Sequence, residues 1–301
     1  MGIGYIDIGV NLLDESFKKD LDDVIDRSFE SNVNILINTS SSIEEAKRSL
    51  DLTKKYPSKI YTTAGIHPHN ASMADNQLKS NLLEIIKNKS VVAIGECGLD
   101  YFRNFSPKEK QLSVFKTHLE AAKETGLPLF LHQRDAHEDF INCLNDMLHE
   151  PIHGVAHCFT GNVDQMKAYL DMGLYIGITG WICDKRRNDE LIQAVKQLPL
   201  DRVLIETDSP YLIPRSMKKS RRNEPMNLPI IAEKLAKEMG IETSKLVSGS
   251  TSSFLAKLTR ENRRSPNSSP TENFSLDSKA WHSSLTSSFI FSSIPSELVQ
   301  S

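Results

Sequence analysis

Short apolar runs alternate along the first 260 residues with longer stretches in which apolar positions recur at helical spacing. The runs are Tyr5–Val10, Val33–Asn38, Ile60–Gly65, Val91–Glu96, Pro128–His132, Gly154–His157, Leu174–Thr179 and Val203–Glu206. Several are apolar on both faces, as parallel strands covered on both sides are. Length alone would also allow helix fragments, but the start and stop signals between the runs decide for strands. Ser106-Pro107-Lys108-Glu109 reads as a capping box with proline at the first helical position, and Leu112, Phe115, Leu119 and Ala122 follow at helical spacing. Gly126 supplies the stop and Pro128 opens the next strand. Ser42-Ile43-Glu44-Glu45 is a second box, and Asn162 with Gln165 a weaker third. Eight strand–helix units predict a (β/α)8 TIM barrel over residues 1–260. An open doubly wound sheet would carry a glycine-rich phosphate loop after its first strand, where this chain has Gly9-Val10-Asn11-Leu12.

The character changes beyond Arg260. Residues 261–301 are rich in serine, hold several prolines and show no sustained period. Such a stretch buries too little apolar surface to offset its ordering entropy, so a disordered tail is expected. Within it Phe289, Ile290 and Phe291 form an apolar island, either a chance cluster or a short docking motif. The whole chain of 301 residues has 36 basic against 39 acidic side chains, net charge −3, and is 39% apolar, which suits a globular domain. No run approaches the roughly 18 apolar residues of a membrane span, and Met1–Val10 lacks a signal peptide's pattern. No membrane partner is expected, and the expected location is cytoplasmic, or nuclear if the source is eukaryotic. A monomer is expected. Cys97, Cys143, Cys158 and Cys183 form no C-x-x-C pair and read as reduced thiols.

Chemistry in a barrel sits at the C-terminal strand ends. Strand 4 ends in Gly95-Glu96, strand 5 in His132, strand 6 in His157, and strand 8 runs into Glu206-Thr207-Asp208. One histidine closing an apolar run is most often a cap or core residue. Glu96, His132, His157 and Asp208 at corresponding ends of four strands form instead the oxygen and nitrogen donor set of a divalent metal. Burying such groups unpaired would be costly. If Glu96 and His157 face the mouth, strand alternation turns Cys97 and Cys158 toward the helices as apolar packers.

These residues carry a family resemblance. The segments Asp7-Ile8-Gly9-Val10-Asn11-Leu12, Thr63-Ala64-Gly65-Ile66-His67-Pro68-His69 and Val92-Ala93-Ile94-Gly95-Glu96-Cys97-Gly98-Leu99-Asp100 resemble the TatD family of metal-dependent deoxyribonucleases. So do Pro128–Glu138, His157-Cys158-Phe159-Thr160-Gly161, Gly177–Trp181, Ile205–Leu212 and Arg221–Pro225. The match spans nearly all of residues 1–258. The resemblance implies a TIM-barrel phosphodiesterase in which Glu96, His132 and His157 hold metal and Asp208 is a ligand, the general base, or both. It implies a magnesium-dependent nuclease, acting as a 3′-to-5′ exonuclease on single-stranded DNA or RNA, with a role in repair after oxidative damage. Most of the family ends strand 1 with His-x-His; Gly9 and Asn11 stand there instead, as in one subgroup, which leaves one metal site better supported than two. On ligand softness alone, Mn²⁺ or Zn²⁺ suits two imidazoles as well as Mg²⁺.

Charge adds a polyanion to the picture. Arg215, Lys218, Lys219, Arg221 and Arg222 follow strand 8, and Lys185, Arg186 and Arg187 follow strand 7, flanked by Asp184 and Asp189. Those loops are the recurrent phosphate site of this architecture. Arg134, Arg221 and Arg222 are candidate phosphate contacts, and His67 is a candidate substrate or leaving-group contact or a loop hydrogen bond. Among the top-face aromatics Trp181 is the first candidate to stack a base of a single strand. Two rival readings share the barrel. One is a small-molecule amidohydrolase, which usually relies on the missing His-x-His. The other is a non-enzymatic nucleic-acid-binding relative.

Overall fold

The computed structural model describes residues 4–148, 151–215, 217 and 221–251. The tail expected over 261–301, and Lys218 and Lys219, lie outside the described residues. Eight parallel strands lie in sequence order: β1 (Tyr5–Val10), β2 (Val33–Asn38), β3 (Ile60–Ala64), β4 (Val91–Asp100), β5 (Leu129–Arg134), β6 (Gly154–Ala156), β7 (Tyr175–Ile178) and β8 (Val203–Ile205). Helices α1 (Leu21–Glu30), α2 (Ile43–Lys55), α3 (Leu78–Ile85), α4 (Lys108–Thr125), α5 (His137–Met147), α6 (Val163–Asp171), α7 (Asp189–Val195) and α8 (Leu228–Met239) alternate with them. The sheet is drawn nearly closed just after β8: Asp208 N donates to Gly9 O, and Asn11 N to Ser209 O, each at 2.8 Å. This is the TIM barrel that the alternation of runs predicts.

Every apolar run becomes a strand. β4 runs four residues past Glu96, because β5 continues beside it and pairs Cys97 with Leu131 through to Asp100 with Arg134. A cluster drawn from strands alone, including Ile6, Ile37, Tyr61, Phe130 and Leu204, fills the barrel interior. A larger cluster packs the outer strand faces against the helices.

Two helix starts follow the sequence signals. Ser42 accepts from Glu45 N and Asn162 from Gln165 N. Gly126 adopts the left-handed conformation (φ 71°) and closes α4. Ser106, in contrast, does not cap α4. Helix α4 starts one residue later with Pro107 as its N-cap, and the Ser106 hydroxyl donates to His69 O and accepts from Ser72 N. The loop after β3 has taken the group that the capping box would have used.

Helix α4 also buries two polar side chains on its core stripe, and both brace the barrel mouth. Gln111 accepts from Asp100 N and donates to Asp100 O, clamping the end of β4. His118 Nε2 accepts from Ile66 N at 2.9 Å while Nδ1 faces Val114 O at 2.7 Å. That pairing assigns the ring proton to Nδ1 and holds the loop after β3. Burial pushes the His118 pKa down from 6.5 to about 4. Between those values the unfolded chain binds a proton that the folded chain refuses. Stability therefore falls as pH drops through this window, by about 1.4 kcal/mol per pH unit from this group. Urea titrations between pH 7 and 5 should show a shallower loss for His118→Gln than for the wild type.

Candidate metal centre

The carboxylate of Glu96 is buried at the mouth, and three imidazoles meet one of its oxygens. His132 Nδ1 and His157 Nε2 each lie 2.9 Å from Glu96 Oε1, and His67 Nε2 lies 3.2 Å from it. These side chains come from β4, from β5 and from the loops after β6 and β3. Burial would raise the Glu96 pKa, but His67, His157 and the hydrogen bonds from His132 and His157 hold it well below the usual carboxylate range. A stable anion thus faces three ring nitrogens.

Their surroundings divide the rings into two kinds. His67 Nδ1 accepts from His69 N at 3.1 Å, so its neutral ring carries the proton on Nε2. Burial holds the His67 pKa down to about 4, which keeps that ring neutral near pH 7. His157 Nδ1 faces Glu206 Oε2 at 3.3 Å, and against the effect of burial Glu96 and Glu206 raise its pKa well above the ordinary value. The two carboxylates favour an imidazolium with Nδ1–H on Glu206 and Nε2–H on Glu96, and a metal ion would take the Nε2 lone pair by displacing that second proton. His132 Nε2 lies 3.4 Å from Asp100 Oδ2 and is buried without a hydrogen-bond partner.

This donor set fits a divalent cation. Metal bonds of about 2.1 Å at right angles hold donor atoms about 3 Å apart, the spacing found around Glu96 Oε1. Donor atoms of His67, Glu96 and His132 all lie within 4.8 Å of one another. The sequence left His67 off the ligand set; the fold brings it into the same cluster as a placed N–H donor. His157, expected beside Glu96 and His132, lies 2.9 Å from Glu96 Oε1 through Nε2, while the group of three with all donor atoms within 4.8 Å of one another holds His67 in its place.

Asp208 follows β8 in a left-handed conformation (φ 51°), as Asp135 and Cys158 do after β5 and β6. Burial raises its pKa to about 7 against the pull of His157 and Asn11, and Glu96 and Glu206 add to the rise. Asn11 Nδ2 donates to Asp208 Oδ1 at 3.0 Å, and Asn11 Oδ1 accepts from Thr39 at 2.7 Å. Asn11 is therefore a hydrogen-bond brace for Asp208, and its oxygen is already engaged.

Sequence reasoning missed Glu206 and Asp100. A Cβ on Gly9 would lie 2.4 Å from Glu206 Oε2, and one on Gly177 would lie 2.5 Å from Glu206 Oε1. The Glu206 carboxylate fills the space at position 9 that a larger residue would need. It accepts from Cys158 N at 2.6 Å as well as facing His157. Asp100 faces His69 Nε2 at 2.6 Å beside His132. Asp100 closes β4 and Glu206 stands just past β8, so both occupy strand ends, and that signal was available.

Other candidates are placed as follows. Arg134 ends β5, donates to Thr160 Oγ1 at 3.3 Å, and lies 5.0 Å from the Phe102 ring and 5.1 Å from the Trp181 ring. With His157, Trp181 and Thr160 it lines a cavity of about 270 Å³. Arg222, expected at substrate, instead joins an ion-pair group with Asp20 and Glu224, which also hold Arg27, and lies over Phe17. Asp20, just before α1, and Glu224, before α8, engage its guanidinium. Arg221 is exposed, and no described contact joins it to the cluster. Cys97 packs in the outer core as expected, and burial pushes its thiol up; the Cys158 thiol is pushed up to about 12. Neither is poised as a nucleophile.

The model of the family described as TatD related DNase matches residues 6–257. A protein of Salmonella typhimurium named 3′-5′ ssDNA/RNA exonuclease TatD is 45% identical over 233 residues, covering 76% of this chain and 89% of the relative. The protein of the same name in Escherichia coli K12 is 43% identical over 243 residues, covering 80% and 93%. A solved TatD-family hydrolase of Entamoeba histolytica, 30% identical, superposes with a TM-score of 0.78 over 85% of this chain and 98% of its own.

Two substitutions test these placements. Glu206→Gln should weaken binding of a divalent ion about 10- to 100-fold by calorimetry, with the melting profile little changed, because a ligating histidine depends on its outer carboxylate. Arg222→Ala should cost about 1 kcal/mol in urea denaturation and leave oligonucleotide affinity at the wild-type value.

Proposed function

The chain belongs to the TatD-related DNase family and is a hydrolase acting on nucleic acid; on that premise we propose that it removes nucleotides from the 3′ end of single-stranded DNA or RNA. The convergence of His67, His132 and His157 on Glu96 Oε1 beside Asp208 carries the reading. In it Glu96, His132 and His157 hold a divalent ion, with magnesium as the resident metal. Such an ion lowers the pKa of water and withdraws charge from phosphoryl oxygens. Asp208, with a pKa near 7 and its Oδ1 fixed by Asn11, takes the proton from the attacking water. His67 is neutral at working pH and offers Nε2–H, which suits a hydrogen bond to a phosphoryl oxygen better than protonation of the leaving group. Arg134 pairs with a phosphate beside the centre.

A concave mouth rimmed by Phe102 and Phe105 suits a frayed end more than a continuous duplex. Action as a monomer, a cytoplasmic location and a part in repair of oxidised DNA belong to the same proposal; the location rests on four cysteines without a C-x-x-C pair and the repair role on the family resemblance. Among the described residues no helix is long and apolar enough to cross a membrane. The amidohydrolase alternative loses its usual support, since Gly9 borders Glu206 and Asn11 is engaged by Asp208 and Thr39.

A single-stranded oligonucleotide with different labels at its two ends tests the reading. With Mg²⁺ it should shorten stepwise from the 3′ end, and chelator or His132→Ala should abolish the loss. Asp208→Asn should lower kcat about 10²- to 10⁴-fold, the range for a lost general base. Persistent full-length substrate with well-folded protein and Mg²⁺, Mn²⁺ or Zn²⁺ would overturn the proposal.

A further inference from the structure

Trp181 lines two cavities. One is the 270 Å³ cavity that reaches Arg134 and His157. The other, about 530 Å³, lies among the loops after β7 and β8 and is lined by Trp181, Asp184, Arg187, Tyr211 and Arg215. The reaction described above uses nothing in this second cleft.

Its charge is organised around one nearly buried carboxylate. Asp184, with 5% of its side chain exposed, meets Arg186 at 2.6 Å, Arg187 Nε at 3.0 Å and Arg215 Nε at 3.6 Å. Three cations on one anion leave a local excess of positive charge. Arg187 is fixed further: its guanidinium lies 3.6 Å from the Trp181 ring centre, and Trp181 Nε1 donates to Arg187 O at 3.1 Å. Arg187 and Arg215 keep 47% and 60% of their side chains exposed. Each meets Asp184 through Nε, and the two terminal nitrogens of each fork remain for an acceptor. Tyr211 is 54% exposed, with its hydroxyl donating to Asp14 at 2.8 Å, which steadies the ring at the rim. Paired guanidiniums next to an exposed aromatic ring match a phosphodiester and its base. The cleft begins at Pro210 and Tyr211, just past Asp208, and shares Trp181 with the cavity that reaches His157.

We propose that this cleft is a second nucleotide subsite, in which Arg187 and Arg215 hold the phosphodiester next to the scissile one and Tyr211 stacks its base. Asp184 is the positioning residue for both guanidiniums. The proposal rests on the reading of the metal centre as a nuclease of single strands. It implies that the enzyme engages a strand through at least two consecutive phosphates.

The test is fluorescence anisotropy of a labelled, cleavage-resistant phosphorothioate oligothymidylate with the Mg²⁺-loaded enzyme between 50 and 200 mM KCl. Both arginines are exposed, so Arg187→Ala and Arg215→Ala should fold normally. Each should weaken binding about three- to tenfold at low salt and reduce the slope of log K against log[salt] by about 0.7, the increment for one phosphate of a single strand. A merely structural role would leave the slope unchanged. Asp184→Asn removes one negative charge locally, so an electrostatic effect alone would tighten binding; a positioning role weakens it, and weakening is expected. Wild-type slopes in both arginine variants would overturn the subsite, and tighter binding by Asp184→Asn would overturn the positioning role. Cleavage of an ordinary oligonucleotide, measured alongside, separates the two readings. Altered slopes without cleavage would keep the subsite and remove the nuclease; cleavage with unaltered slopes would do the reverse.

Discussion

One buried anion organises the mouth of this barrel. Glu96 cannot remain ionised in a low-dielectric site unless positive or hydrogen-bonding groups surround it. The fold answers with imidazoles from β5 and from the loops after β3 and β6, all directed at one oxygen. The outer groups follow from that demand. Glu206 sits behind His157, Asp100 behind His132, and the His69 amide behind His67. The outer hydrogen bonds at His157 and His67 bias the ring protons there, whereas Asp100 lies 3.4 Å from His132 Nε2 and acts on that ring through its charge.

Room for this arrangement is made by the absence of side chains. A Cβ on Gly9 or Gly177 would collide with the Glu206 carboxylate. The departure from His-x-His at the end of β1 is thus a packing change as well as a lost pair of ligands. An interior glutamate takes the space, and Asn11 is turned to the service of Asp208. Burial, with Glu96 and Glu206 adding to it, raises the Asp208 pKa into the range where a carboxylate can act as a base at neutral pH.

The mouth is braced from outside by polar groups that interrupt an apolar helix stripe. Gln111 and His118 on α4 reach the ends of β4 and the loop after β3. Their burial is affordable only because each finds a backbone partner. Ser106 ties the same loop. Charge on the other side of the mouth is ordered in the same manner, with Asp184 gathering arginines that would otherwise repel one another.

The sequence by itself determined the barrel and the residues at its strand ends. Runs apolar on both faces, two side-chain caps and the Gly126 stop are local signals, and local physics honours them. Glu96, His132, His157 and Asp208 were legible because a strand end is a fixed address in this architecture. Only the tertiary structure decided what lies beside those residues. Nothing near Gly9 in the chain announces that Glu206 fills its space across the barrel. Nothing near Arg222 says that Asp20 engages it, while Arg187 and Arg215 turn to a cleft. The tautomer of His67 depends on a neighbouring amide whose direction is set by the loop. Periodicity reports which face a residue takes; partners across the barrel are fixed by packing between segments far apart in sequence, and one strand's pattern holds no record of them.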